Sequence, residues 1–416
     1  MDLFSTMIPR IKFPKDKELT MNENFAGIGA FKKGFERAGF KVKVVAISEI
    51  DKYCIASYKE MHGEVSNLGA IGSFERLPAG VDVCTWSFPC QDISNAGRGK
   101  GMEEGTRSNY GFVFLETLKN TPIQERPKVL IMENVALLFS KKFHNYWTRI
   151  LSILSECGYQ NYPGKMNAKD FGVAQNRDRV FMVSVLGNYS YSFPNYIKLE
   201  KRLKDYLEDV VDEKYYLSDK MLNYVIGDSN GWERQYRPLT LDSEHSWTIT
   251  AREGNVAESS YIAIPINTDE TICLNSKVNG KQPSVQDRIY DVDGVSTAIT
   301  TAYMPSIAIP EATTKGYALA KDGDGKYLNR PHQKRGVVQD QMIQTIKTSG
   351  NDIGVVTNNL RIRKLTPLEC WRLMGISDDD FNKAQASGVS NSQLYKQAGN
   401  AIVVDVFEAI LRRMIT

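Results

Sequence analysis

Several absences narrow the field. None of the six cysteines stands in a C-x-x-C pair or another zinc-like spacing, so no metal site and no disulfide framework is expected. A chain of 416 residues can bury a core that needs no covalent staple. No apolar run is long enough to cross a bilayer, and the stretch up to Thr20 lacks the apolar centre of a secretory signal. The expectation is a cytoplasmic protein with reduced thiols and no membrane partner. An excess of one charge is missing too: 52 basic residues face 49 acidic ones, a formal net charge of +3. Any affinity for a polyanion must then come from local patches such as Lys141 and Lys142, Arg361 to Lys364, or the basic residues of 322 to 335.

Up to about residue 186, short apolar runs alternate with amphipathic stretches, the pattern of βαβ units around a parallel sheet. Strands are expected at Val42 to Ser48, Val81 to Ser87, Val129 to Met132 and Val180 to Leu186. Helices are expected at Phe31 to Ala38, Tyr53 to Met61, Phe112 to Lys119 and Tyr146 to Cys157, with Gly39 and Gly158 as stops. Beyond about residue 190 the sequence turns polar, rich in Thr and Asn, with a weak repeat. Ser246 to Thr250 leads to Tyr261 to Pro265, Val295 to Thr301 leads to Ser306 to Pro310, and Met342 to Thr348 leads to Ile353 to Val356. Three similar strand-turn-strand units predict a second, irregular β-rich domain. The stripe Ile402, Val403, Val406, Phe407, Ile410, Leu411 and Met414 has helical spacing and predicts a helix from Ala401 to Thr416 that packs back on the sheet. The β-rich segment, 187 to 357, then interrupts an α/β domain made of 1 to 186 and 358 to 416.

Phe25-Ala-Gly-Ile-Gly-Ala-Phe31 follows a possible short strand and opens a helix. Gly27 and Gly29 could let a ligand approach the backbone, although a plain strand-to-helix turn explains them equally well. Lys32 stands where a dinucleotide fingerprint has its third glycine, which argues against a pyrophosphate and leaves room for a nucleoside. Glu49, directly after a strand, could accept hydrogen bonds from two ribose hydroxyls. Phe88-Pro89-Cys90-Gln91 follows another strand, at the edge where open α/β sheets bind ligands. Among turn formers a cysteine can be an exposed nucleophile if nearby cations or helix amides lower its pKa. Asp92 to Tyr110 is glycine-rich and basic, as a mobile lid over a phosphate chain would be. Glu133 ends the next strand and faces the same edge as Cys90, where a carboxyl suits acid and base work on an electron-poor ring. In Gln175-Asn-Arg-Asp-Arg179, Arg177 and Arg179 alternate onto one side and could clamp a phosphate or a base carbonyl.

In this order the motifs resemble the DNA (cytosine-5)-methyltransferases of bacterial or phage type, over nearly the whole chain. Arg363 to Glu369 with Arg372-Leu-Met-Gly375, and Tyr395 to Asn400, resemble two further motifs of that family. The resemblance implies a Rossmann-like S-adenosylmethionine-dependent methyltransferase domain with a smaller target recognition domain. It implies no metal, S-adenosylhomocysteine as product, and double-stranded DNA as partner. A monomer is expected, with or without a separately acting cognate restriction endonuclease. By the same resemblance, Cys90 is the nucleophile, Glu133 the acid, Arg179 a contact to the flipped base and Arg177 its support. Phe25, Gly27, Gly29, Glu49, Ile50, Ile71, Pro89, Asn400 and Ala401 hold the cofactor. Gln91, Ser94, Arg107 and the pair Thr345-Ile346 touch DNA, with Thr248-Ile249 as the alternative pair. Gly69-Ala70-Ile71 stands where many members carry Gly-Asp-Ile, which implies weakened or rerouted adenine recognition. Two other readings compete. An RNA-directed relative would carry Cys-Phe-Thr, which is absent, and a non-catalytic DNA-binding relative would have lost Cys90 or Glu133, which are both present.

Overall fold

The computed structural model describes residues 8–93, 101–216, 239, 243–251, 253, 261–265, 307–310, 317–320, 325–327, 338–339, 353–355 and 360–416. Its larger unit is built on a six-stranded sheet. In chain order the strands are β1 (Glu18–Asn24), β2 (Lys41–Ser48), β3 (Val83–Trp86), β4 (Val129–Val135), β5 (Tyr159–Asn167) and β6 (Asp178–Leu186). Across the sheet they run β2-β1-β3-β4-β6-β5. The first four are parallel, while β6 is antiparallel to β4 and β5 antiparallel to β6. The sheet expected to be parallel is therefore mixed: β5 and β6 are consecutive strands joined by a short connection, which brings them side by side in opposite directions. The sequence pattern misses β5, which is polar and contains Pro163; proline is tolerated there because the strand lies at the edge.

Between the early strands lie α1 (Ala30–Ala38), α2 (Lys52–His62), α3 (Tyr110–Asn120) and α4 (His144–Glu156). Gly39 ends α1 at φ 90° and Gly158 follows α4 at φ 87°, both left-handed, as C-terminal stops require. One core joins Ile71, Trp86, Phe88, Phe114, Met132 and Trp147. Trp86 stacks on Phe114 with ring centroids 4.6 Å apart, and each such buried ring stabilises the fold by roughly 1.5–3 kcal/mol.

The C-terminal part forms α5 (Pro367–Arg372), α6 (Asp378–Ala386), α7 (Asn391–Asn400) and α8 (Val404–Arg412). The expected final helix starts at Val404, three residues later than its apolar stripe suggests, and it packs on α1. Phe407 meets Phe31 and Phe35 edge-on at 4.8 and 5.5 Å. Gly34 is what admits it, since a Cβ there would overlap the Phe407 ring.

The chain divides into two compact units. One holds 1–211, 241–260 and 365–416, and the other 212–240 and 261–364. The smaller unit contains β7 (Tyr261–Pro265), β8 (Ile307–Pro310), β9 (Tyr317–Ala320), β10 (Gly325–Tyr327), β11 (Val338–Gln339), β12 (Ile353–Val355) and β13 (Leu360–Lys364). These pair as β13-β7, β8-β9 and β11-β10-β12. Of the repeat, the second arms form β7, β8 and β12, each in a different sheet. Ser246–Thr250 forms no strand and belongs to the larger unit. The leading arms at 295–301 and 342–348 lie outside the described residues.

Candidate active site

A solvent-open cleft lies at the carboxyl end of β1, lined by Phe25, Ala26, Gly27, Ser87, Asn400 and Ala401 among others. Four of the expected cofactor residues are in that lining: Phe25, Gly27, Asn400 and Ala401. Phe25 is the only non-glycine with positive φ among the described residues, at 56°, a conformation that costs of the order of 1–3 kcal/mol. The Phe25 and Ala26 N–H groups donate to the Ser48 carbonyl at 2.8 and 3.3 Å, tying the turn to the end of β2. Glu49 follows at once. Its Oε2 accepts from Gly27 N at 2.8 Å, and its Oε1 accepts from Ile50 N and Asp51 N, both at 2.8 Å. Three amides thus fix one carboxylate beside the cleft, a rigid charged acceptor of the kind a ribose diol needs. The donor set fits a nucleoside cofactor.

The remaining expected cofactor residues have other surroundings. Gly29 faces α2, where a Cβ would overlap Tyr58 and His62, so its close approach serves packing. Ile71 is buried in the core cluster, Ile50 is exposed, and Pro89 uses its carbonyl to accept from Ser108 Oγ at 2.7 Å.

Cys90 is half-buried just beyond β3, against the core cluster. Burial pushes its thiol above the usual value; Arg179 and Arg177 pull it down, and Glu133 pushes it up. The two guanidiniums do pull the thiol down, as an activated cysteine would need, but desolvation outweighs them. Glu133 is buried near the end of β4, and burial likewise raises its carboxyl above the ordinary range against the pull of Arg179 and Arg177. The antiparallel register sets Arg179 opposite Val135 and Phe181 opposite Glu133. Alternation then brings Arg179 and Glu133 to one face, with Nε 2.9 Å from Oε1. That oxygen takes no aligned hydrogen bond, so the contact is an off-axis ion pair.

Arg177 is also buried, and its fork goes to main chain: Nη1 donates to the Ile249 carbonyl at 2.7 Å, and Nη2 to Gly399 and Ala401 carbonyls at 3.0 and 2.9 Å. Burial lowers its pKa to about 9, which leaves it charged at neutral pH. Gln91 and Arg107 pair across the base of the glycine-rich loop, Nη1 to Oε1 at 2.8 Å, and both are exposed. Asp92 Oδ2 accepts from Arg107 N and Ser108 N at 2.9 and 3.3 Å. The loop's return is anchored, with Met102 in the core and Glu103 bonded to the Tyr146 hydroxyl. Ser94, Thr345 and Ile346 lie outside the described residues. Of the alternative pair, Ile249 is fully buried and Thr248 Oγ1 donates to the Asn176 carbonyl at 2.6 Å.

Three residues have roles that the sequence reading did not assign. Ser108 holds the Pro89 carbonyl. Gln397 lines the cleft and donates to the Tyr53 carbonyl and Ser57 Oγ of α2 at 3.0 and 2.9 Å. Gln175 is fully buried, and its amide joins two distant segments, bonding Leu373 O and Ile249 N. Lone polar residues inside apolar or helical patterns carry no signal of such contacts.

Residues 19–416 match the family described as C-5 cytosine-specific DNA methylase. An orphan methyltransferase, M.SPRI of Bacillus phage SPR, is 30% identical over 94% of this chain and 96% of its own length. The type II methyltransferase M2.ScrFI of Lactococcus lactis subsp. cremoris is 29% identical over 84% of this chain and 71% of its own. Among solved structures, the Entamoeba histolytica methyltransferase EhMeth superposes with a TM-score of 0.61 at 16% identity, over 96% of this chain and 98% of that one. The Dnmt2 methyltransferase of S. pombe follows at 0.58 and 17%, over 95% and 98%. These two likenesses show the fold.

Proposed function

The chain belongs to the C-5 cytosine-specific DNA methylase family, and on that premise we propose that it methylates C5 of a flipped-out cytosine in a specific double-stranded DNA sequence, through a covalent bond from Cys90 to C6. It serves either as an orphan methylase or as the modifying half of a restriction pair. The observation that carries this reading is the electrostatic neighbourhood of Cys90, Glu133 and Arg179 at the carboxyl edge of β3 and β4.

A ring carbon cannot be reached within the base stack, so the cytosine leaves the duplex. The Cys90 sulfur attacks C6 as a thiolate while Glu133, whose carboxyl burial raises above the ordinary range, hydrogen-bonds or protonates N3. Electron density then moves to C5. S-adenosylmethionine, in the cleft beside Phe25 and Glu49, supplies the methyl group that C5 takes up. Loss of the C5 proton to solvent base expels the thiolate and restores the aromatic ring. Arg179 holds the Glu133 carboxyl and offers its remaining N–H groups to the base carbonyl. Arg107 and Gln91, exposed at the loop base, contact the target-strand backbone.

A duplex library with 5-fluorocytosine in place of cytosine tests the proposal directly. Fluorine leaves no C5 proton to lose, so the adduct persists and survives denaturing electrophoresis. Wild type is expected to trap DNA and Cys90→Ser is not. Bisulfite sequencing of DNA from expressing cells supplies the sequence context. Neither an adduct nor protected cytosines from a folded protein would overturn the reading.

A further inference from the structure

Residues 246–251 lie against the helix end that walls the cleft, and they are held from both sides. Ser246 N–H donates to the Ala174 carbonyl at 2.8 Å, and Asn176 N–H donates to the Ser246 carbonyl at 2.9 Å. Gln175 accepts from Ile249 N at 3.2 Å through Oε1 and donates to the Leu373 carbonyl at 2.8 Å through Nε2. Arg177 bridges the Ile249 carbonyl to those of Gly399 and Ala401. On the other side is α7. A Cβ built on Gly399 would overlap the carbonyl of Thr250 and the nitrogen of Ala251. These are main-chain atoms, so no rotamer change relieves the clash.

Gly399 is not among the glycines with positive φ. Inside a helix, alanine would be better by about 1 kcal/mol. Close approach of 250–251 is thus the physical reason for glycine at this position. The next residues, Asn400, Ala401 and Ile402, line the cleft. Reading the cleft as the seat of S-adenosylmethionine, we infer that segment 246–251 is a brace that sets its far wall. Gln175 and Gly399 are positioning residues for the cofactor, although neither lines the cleft.

Titration calorimetry of the full chain with S-adenosylhomocysteine tests the inference, at a temperature where circular dichroism shows each variant folded. Gln175→Ala and Gly399→Ala are each expected to weaken binding roughly ten-fold, the loss of one or two hydrogen bonds' worth of positioning. Because both act through one brace, the double variant should be no more than about two-fold weaker than the worse single one. A merely structural role lowers melting temperature without this non-additive effect on affinity. Should Gly399→Ala fail to fold, Thr248→Val replaces it in the cycle, removing the bond to Asn176. Folded variants that bind within two-fold of wild type, or effects that multiply, overturn the brace alone. Wild type that binds no S-adenosylhomocysteine overturns the cofactor reading, and the brace falls with it.

Discussion

Arg179 and Glu133 meet across neighbouring antiparallel strands, with Nε 2.9 Å from Oε1. The guanidinium lowers both the Glu133 carboxyl and the Cys90 thiol, and in both cases burial wins and the group stays above its usual value. Removing Arg179 therefore raises both further. In Arg179→Ala, the pH profile of Cys90 alkylation by iodoacetamide is expected to move upward, and kcat/KM for methyl transfer to fall on the order of 100-fold. An unmoved profile would separate Arg179 from the thiol.

Glu49 is expected to govern cofactor affinity. Glu49→Ala removes the acceptor of three amides along with the carboxylate proposed to bind the ribose. Charge-assisted bonds contribute roughly 1.5–3 kcal/mol each, so S-adenosylhomocysteine binding should weaken about 10- to 100-fold in calorimetry. Glu49→Gln, which keeps one acceptor oxygen, should lie between.

Ala70 follows Gly69, whose φ of 78° turns the chain, and its carbonyl accepts from Ser73 N and Oγ at 3.0 and 2.7 Å. The turn is therefore already formed with alanine at this position. Ala70→Asp is expected to tighten S-adenosylmethionine binding by up to about ten-fold, through a hydrogen bond to the adenine amino group. Unchanged affinity would show that adenine is held elsewhere.

Glu23 on β1 is fully buried, and burial raises its pKa to about 7 despite the Tyr58 hydroxyl at 3.0 Å, the Lys32 N–H at 3.4 Å and the charge of Lys32, with Glu36 adding to the rise. A folded pKa above the unfolded one favours the protonated fold. Stability from this group is complete below about pH 4.5 and is lost as pH rises through about 7. The loss amounts to roughly 3 kcal/mol at most. Urea melts between pH 5 and 8 should show wild type losing stability relative to Glu23→Gln. Parallel curves would refute the assignment.

Strands β2, β3, β4 and β6 were legible because their apolar runs are buried, and their predicted bounds fall within a few residues of those observed. β1 was only half visible. Its last three residues, Asn22, Glu23 and Asn24, are polar yet fully buried, held by bonds such as Asn22 Nδ2 to the Ala46 carbonyl at 3.0 Å and Asn24 Nδ2 to Asn22 Oδ1 at 2.9 Å, which no hydropathy pattern reveals. For Cys90, Glu133 and Glu49 the position was legible: Glu49 directly follows β2, Glu133 lies near the end of β4 and Cys90 lies just past β3. The packing role of Gly29 was hidden, since a glycine that admits Tyr58 and His62 looks the same in sequence as one that admits a ligand. The sign of the Cys90 shift was also hidden, because desolvation depends on the whole packed surrounding.

The seating of α7 on α2 joins Lys396 to Asp51 at 2.6 Å and Gln397 to Tyr53, partners about 345 positions apart. Closing so long a loop is among the slower steps available to a chain, and it precedes any reward from the contact. The far wall of the cleft is thus assembled only once the two extremes of the α/β unit have found each other. A nucleoside lodged there would act as a clasp on that encounter, slowing its reopening and lengthening the life of the folded enzyme.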